Sequence, residues 1–375
     1  MPLNLTLALR NLFHDRLRFV ATMIGIVFSV VLVMVQMGLY LGFGRMVTTV
    51  IDHTSADLWV MRHGTKCFED PSLLSHSKQT GAAATAGVAE VTPLVIGFSG
   101  WILPSGEITP VFVVGSDLQI LKPWNLTEGT VRALSGSGTV AVDRSYFERL
   151  GVSGIGSKAN IRGLPVSVAA VSEGIRSFTT TPYVFSDLSQ ARAYIGIPST
   201  MVSYLLVKLR PGADLEHVRH DLQASLPDSE VLTPAEFNER SRSYWLLGTG
   251  AGAALFAGAI LGIIVGVVIV AQTLYSSTKD HLDEFATLRA MGSSNGYIYS
   301  VIIYQAVLNA VIGFAFATLI GFSVVEFTRS GALPVLITPM LVLVMLVLTV
   351  VVCIAAALGA IFRVVRIDPV MVFTR

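Results

Sequence analysis

Several residue clusters in this chain invite a chemical reading, and each lacks a part that the chemistry needs. Gly151–Lys158 is glycine-rich and ends in lysine, as a phosphate-cradling loop would, but no Gly-Lys-Ser/Thr ending is present. Backbone amides alone would have no lysine placed to reach a nucleotide's outer phosphates. His53, His63 and His76 lie around Cys67, and His63-x-x-x-Cys67 has the spacing of a ligand pair for a metal or haem. No second pair completes a four-ligand set. Neither a zinc-protease His-Glu-x-x-His nor a Gly-x-Ser-x-Gly nucleophile elbow occurs. The two cysteines, Cys67 and Cys353, stand far apart in unlike surroundings and predict no disulfide framework. The expectation is a chain with no catalytic residues, no metal site and no cofactor of its own.

The residues that do form patterns suit helix docking rather than catalysis. Along 279–292, Leu282, Phe285, Leu288 and Met291 recur at helical spacing, Glu284 and Arg289 flank them, and Gly292 can end the helix in a left-handed conformation. So short a helix must lay its apolar stripe on a membrane surface or against another protein. Residues 1–18 form a second amphipathic helix, with Leu5, Leu9, Leu12 and Phe13 opposite Arg10, Arg16 and Arg18, suited to lie along the membrane interface. Further on, Ala254, Gly258, Gly262 and Gly266 follow a four-residue step. Such a stripe lets two helix backbones approach closely, within one chain or between two copies. Gln36 and Tyr40, one turn apart in an apolar run, are candidates for a packing hydrogen bond or for contact with a substrate.

The elements that would carry these residues follow from charge depletion. Only 14% of residues are charged, against roughly 25% in a soluble domain. No Asp, Glu, Lys or Arg occurs within 19–43, 243–278, 290–325 or 330–362. Each interval exceeds the ~20 apolar residues that cross the hydrocarbon, and in lipid a helix alone satisfies its own backbone. Four membrane helices are therefore predicted at 19–43, 247–275, 297–325 and 335–362, with a soluble segment, 44–242, between the first and second. The first stretch is too long for a cleaved signal core and reads as a retained anchor. Lys and Arg concentrate at the N-terminus, in 279–292 and in the tail 363–375, which puts both termini in the cytoplasm and 44–242 outside. A net charge of +1 with no basic patch offers nothing to nucleic acid.

Within 44–242 the reading is α+β. Extended runs fall at Gly97–Leu103, Pro110–Gly115, Gly138–Val142 and Ile161–Val171. Two strand–helix units follow: Tyr183–Phe185 with Ser186 as N-cap and a helix over 187–195, then Val202–Leu209 with a helix over 214–226. Two such units suit a ferredoxin-like or porter-like subdomain.

Together these features resemble the FtsX-like, MacB-type permease superfamily of ABC transporters. The likeness is carried by Leu7-Ala8-Leu9-Arg10-Asn11-Leu12, by Glu284–Gly292, by Arg366-Ile367-Asp368-Pro369-Val370 and by the one-plus-three helix plan. Within it, Arg10-Asn11-Leu12, Arg18-Phe19, Gly25-Ile26 and Ile51–Val60 resemble the DevC-type permeases of cyanobacterial glycolipid exporters. The resemblance implies an inner-membrane homodimer that couples ATP hydrolysis by a separate ABC ATPase to export of a lipid-like or other amphiphilic substrate. A periplasmic adaptor and an outer-membrane duct would be further partners. Leu282, Glu284, Phe285, Leu288, Arg289, Met291 and Gly292 would be the ATPase-coupling residues. Haem or another hydrophobic small molecule is an alternative cargo. Transmembrane signalling to a cell-wall hydrolase is an alternative role, since the fold itself does not name the substrate.

Overall fold

The structure is a computed structural model, and it describes residues 16–280, 295–328 and 335–365. The chain divides into two compact units, with Phe43–Gly252 forming the second. The main helices are α1 (Arg16–Val47), α2 (Lys78–Ala84), α3 (Leu188–Ile195), α4 (Leu215–Ser225), α5 (Pro234–Ser243), α6 (Ala251–Asp280), α7 (Asn295–Thr328) and α8 (Pro339–Val365). The helix expected over 1–18, but for its last residues, the 281–292 part of the connector and the tail from 366 lie outside the described residues.

Among the described residues, four helices are long and apolar enough to cross a membrane, with spans Phe19–Val47, Ala251–Thr273, Tyr299–Thr328 and Pro339–Gly359. Two begin later than the sequence suggests, for local reasons. The chain enters α6 through a π-helical turn, Tyr244–Gly248, and a break at Gly250, whose φ of +77° a side chain would disfavour. In α8, residues 335–338 are irregular. Thr338 Oγ1 accepts from Leu341 N at 3.1 Å, and Pro339 takes the first helical position, where its missing N–H is no loss.

The second unit holds a ten-stranded sheet. Its strands are β1 (Leu58–Arg62), β2 (Val88–Ile102), β3 (Ile108–Ser116), β4 (Leu126–Gly129), β5 (Thr139–Asp143), β6 (Lys158–Ile161), β7 (Leu164–Ser172), β8 (Tyr183–Asp187), β9 (Tyr204–Leu209) and β10 (Ser229–Leu232). The spatial order is β10-β1-β9-β2-β3-β8-β5-β7-β4, and β6 pairs with both β2 and β7. Two halves result.

In the first half, β10, β1, β9 and β2 pair antiparallel throughout, so β1 and β2 run parallel on either side of β9. With α2 and α4 as crossovers this is the ferredoxin-like βαββαβ arrangement. Alternate residues separate its faces. Leu58, Val60, Leu205, Val207 and Val231 pack with Ala82, Val218 and Leu222, while Trp59, Met61, Tyr204, Leu206 and Leu232 pack on the other side with Phe68 and Phe237. Only one of the two expected strand–helix units, β9–α4, belongs to this half.

The other unit, β8–α3, belongs to the second half, where β2, β3, β8, β5, β7 and β6 pair in a closed ring. Trp101, Val113, Val140, Val168 and Val184 are among its buried residues, and Trp101 Nε1 donates to Leu150 O at 3.0 Å. Ile161–Val171, expected as one run, is extended from Leu164 onward as β7, but Ile161 ends β6 and a hairpin turn separates the two. Arg162 and Gly163 both have positive φ (51° and 81°), the signature of a tight two-residue turn. Asp187, rather than Ser186, caps α3 by accepting from Ser189 N at 2.8 Å.

Candidate functional site

In the membrane unit, the glycine stripe of α6 lies against α1. Gly25 faces Ile269, Ser29 faces Gly266, Val33 faces Gly262 and Gln36 faces Gly258, so the two helices run antiparallel. A Cβ at Gly258 would meet Gln36 Nε2 at 2.8 Å, one at Gly262 would meet Val33 Cγ2 at 2.7 Å, and one at Gly266 would meet Ser29 Cβ at 2.8 Å. At each position something must give way to a side chain: the flexible Gln36 amide at Gly258, but the β-branched Val33 at Gly262 and the Ser29 Cβ itself at Gly266, where α1 or α6 would have to shift. Ser29 Oγ donates to Gly262 O at 2.8 Å, a cross-helix bond made possible by the missing side chains.

Gln36 and Tyr40, the candidate substrate contacts, both turn toward α6. Gln36 packs on Gly258 and its Oε1 has no hydrogen-bond partner among the described residues, while the Tyr40 ring lies 6.4 Å from that of Phe256. The coupling residues Leu282, Glu284, Phe285, Leu288, Arg289, Met291 and Gly292 lie outside the described residues.

The same region of α1 also meets α7 and the approach to α8. Gly313 sits on Ile26 and Gly321 on Met34, so α7 runs parallel to α1, and Gly38 O accepts from Leu336 N at 3.0 Å. Sequence reading passed over Gln305 and Asn309, two buried amides one turn apart on α7. Their signal was the same as for Gln36: uncharged polar side chains in an apolar span. An apolar groove opens between α1, α6 and α8, lined among others by Val30, Val33, Ile263, Val270, Leu348 and Val352. The hydroxyls at its wall are turned inward, Ser29 to Gly262 O and Thr349 to Met345 O at 2.7 Å.

In the other unit, a loop between β1 and α2 builds a second feature. Phe68 N donates to Ser241 Oγ at 3.2 Å, and Tyr204 Oη donates to Cys67 O at 3.1 Å and Phe68 O at 3.0 Å. His63 is exposed and Cys67 fully buried. The loop thereby carries Glu69 into the interior, where it is only 7% exposed. Trp245 Nε1 donates to Glu69 Oε2 at 2.9 Å, while Oε1 has no partner. Phe178 packs on Trp245 (4.7 Å between centroids) and on Phe43 (5.1 Å), with Met46 and Val47 beside them. Burial pushes the Glu69 carboxyl up from 4.5 to about 7, against the indole hydrogen bond and Glu69's own backbone N–H. Burial likewise pushes the Cys67 thiol up to about 12.

A polar clamp holds the loop from outside. Arg240 on α5 pairs through both guanidinium arms with Glu230 on β10, one of them at 2.7 Å, and reaches Thr65 O at 3.3 Å. The Arg240 hydrogen bonds hold the Glu230 carboxyl below its ordinary value of 4.5. That contribution to stability is present above the ordinary value and is lost as pH falls through the depressed one. Arg240→Ala is therefore expected to lower stability by about 1–2 kcal/mol near neutrality, both groups being partly solvated. The deficit should shrink as acid protonates Glu230, leaving the part carried by the Thr65 contact. Melting curves of parent and variant between pH 3 and 8 check this, and a deficit that does not change with pH would refute it.

Two family models match the chain. Residues 19–225 match the MacB-like periplasmic core domain, and residues 256–369 match the FtsX-like permease C-terminal region. No curated protein matches in sequence. Among solved structures, the periplasmic region of MacB from Actinobacillus actinomycetemcomitans is 12% identical, with a TM-score of 0.38, over 50% of this chain and 94% of its own. The extracellular domain of the noncanonical ABC-type transporter YknZ from Gram-positive bacteria is 14% identical, with a TM-score of 0.36, over 48% and 99%. A domain of a permease-type protein from Porphyromonas gingivalis is 16% identical, with a TM-score of 0.33, over 48% and 90%. Likenesses this distant carry no argument of their own.

Proposed function

The chain belongs to the FtsX-like, MacB-type family of ABC-transporter permeases, and from that premise we propose that it is the membrane subunit of an export system whose ATP hydrolysis resides in a separate partner. The observation that carries this reading is the antiparallel pair of α1 and α6. The two are drawn together along the glycine stripe and joined by the Ser29–Gly262 bond. A pair so closely packed moves as one body, because separating it would open gaps that neither helix has side chains to fill. Helix α6 runs without interruption to Asp280, and the chain continues into the amphipathic stripe of Leu282, Phe285, Leu288 and Met291. A push on that stripe would be carried along α6 and α1.

In this reading the chain works as a homodimer in the inner membrane with both termini in the cytoplasm. Two ATPase subunits dock beneath it, and no cofactor other than their ATP is required. A periplasmic adaptor and an outer-membrane duct receive the cargo. The DevC-type resemblance at Ile51–Val60 favours a lipid-like or amphiphilic cargo.

The ATPase contact supplies the test. Buried aromatic anchors dominate interfaces, often at more than ~2 kcal/mol each, whereas exposed charge pairs contribute ~0–1 kcal/mol. Phe285→Ala should reduce co-purification of the cognate ATPase at least tenfold at matched expression, and Lys279→Ala should leave it within twofold. Equal retention by Phe285→Ala and the parent would make the connector inert and remove the coupling mechanism.

A further inference from the structure

We propose that Glu69 and Trp245 form a proton-sensitive latch, which holds the Tyr244–Gly248 turn against the soluble domain while Glu69 is protonated and loosens it when Glu69 ionises. The latch is a property of the Phe43–Gly252 unit and does not depend on the transport reading.

The geometry has three parts. First, Glu69 is a carboxyl enclosed by apolar and aromatic groups, with one oxygen held by the Trp245 indole and the other without a partner. A neutral carboxyl tolerates this environment. A carboxylate leaves an unpartnered charged oxygen there, and the indole N–H together with Glu69's own backbone N–H does not replace the lost hydration. Second, Trp245 sits in a π-helical turn, an irregular geometry often found at functional positions. Its other packing partner is Phe178, which is held in turn by Phe43. Third, the turn is followed by Thr249, Gly250 and Ala251, with Gly250 in the left-handed region, so the segment after Trp245 can shift without strain in a regular helix.

Among the described residues, no cation acts on the Glu69 carboxyl. The groups that feel it are Cys67 on its own loop, Tyr183 on β8 and Tyr204 on β9. Burial raises all three, so they stay neutral across the working range. Asp70, the next residue, acts on Cys67 and Tyr204, and the charge of Arg176, near Phe178, acts on Tyr146. Glu69 is thus the group that titrates here near neutrality, at about 7. Because its folded value is raised, the stability it contributes is full below 4.5 and is lost as pH rises through 7. The closed latch belongs to the acid side.

The test uses the full chain in detergent with 5-fluorotryptophan incorporated at its four tryptophans, the Trp245 signal being assigned with Trp245→Phe. In the parent, the Trp245 fluorine resonance should titrate with a midpoint near 7, and its solvent accessibility to a paramagnetic quencher should rise several-fold across that midpoint. In Glu69→Gln, which keeps an acceptor but carries no charge, both readings should stay at the acid-side value from pH 5.5 to 8.5. A parent resonance that does not titrate, or one that titrates unchanged in Glu69→Gln, overturns the latch. Melting temperature against pH gives an independent reading with Trp245→Phe. Losing the indole donor should carry the fall in melting temperature to higher pH. A fall at the parent's pH would mean that Trp245 does not hold Glu69, and would equally overturn it.

Discussion

Trp59→Ala will lower the melting temperature of the detergent-solubilised chain by roughly 10 °C, while Trp59→Phe will leave it within a few degrees. Trp59 is fully buried at the centre of β1, opposite Leu206 of β9 and Leu232 of β10. Its ring lies 5.4 Å from Tyr204, 5.2 Å from Phe237 and 6.1 Å from Phe68. Truncation to alanine removes the largest side chain from this cluster and leaves a cavity that two neighbouring strands cannot close, at a cost of about 3–5 kcal/mol. In a domain of this size each kcal/mol shifts melting by about 2–4 °C. Phenylalanine keeps most of the packing. It also removes an indole N–H that has no hydrogen-bond partner, a burden that offsets part of the lost volume. Differential scanning of both variants decides the matter, and comparable losses from the two would mean that the aromatic cluster does not carry the sheet.

Gly266→Leu will abolish transport-coupled ATP hydrolysis in the reconstituted complex, at least tenfold, where Gly359→Leu will not. The two glycines lie in membrane helices of similar apolarity but in opposite circumstances. A side chain at Gly266 collides with Ser29, whereas one at Gly359 on α8 meets nothing within 4 Å among the described residues. Overpacking costs about 1–3 kcal/mol in a packed interface. Ser29 would also be forced off Gly262 O, losing a membrane hydrogen bond of roughly 0.6–1.7 kcal/mol. The relief available is to move α6 away from α1, which breaks the body through which the connector is proposed to act. Hydrolysis by the reconstituted complex at matched membrane levels is the measurement, and equal activity of the two variants would separate the glycine stripe from coupling.

The membrane helices were legible because their signal is local: a run without charge, longer than the hydrocarbon is thick, needs no partner to be recognised. The glycine stripe was legible for the same reason, through its four-residue step. Its partner was not, since nothing in Gly258, Gly262 or Gly266 says that Gln36, Val33 and Ser29 stand opposite. In the soluble domain, β1 escaped a strand reading because Leu58–Met61 is buried on both faces and so lacks the alternation that marks a half-exposed strand. Closure of the ring rests on β6 reaching β2 through Trp101 opposite Ile161 and Ile102 opposite Asn160, a pairing that neither segment announces. Glu69 reads as an ordinary loop acid in Cys67-Phe68-Glu69-Asp70. Its indole partner is Trp245, and the tyrosines that feel its charge are Tyr183 and Tyr204, all more than a hundred residues away, so no window of sequence contains its surroundings.

The position of β1 also has a consequence for biogenesis. Its two neighbours, β9 and β10, are made only after the whole ring-forming half has been synthesised, because Trp59 pairs with Leu206 and Leu232. At roughly 5–20 residues per second, β1 waits on the order of ten seconds with both edges bare. It spends that interval on the far side of the membrane, tethered by α1, as an apolar strand of the kind that recruits other chains. Long-range pairing of this sort slows folding in its own right. A ribosome that stalls before Ser229 therefore leaves not a shortened domain but an open, anchored template for aggregation, and the cell envelope must either shield that segment or destroy it.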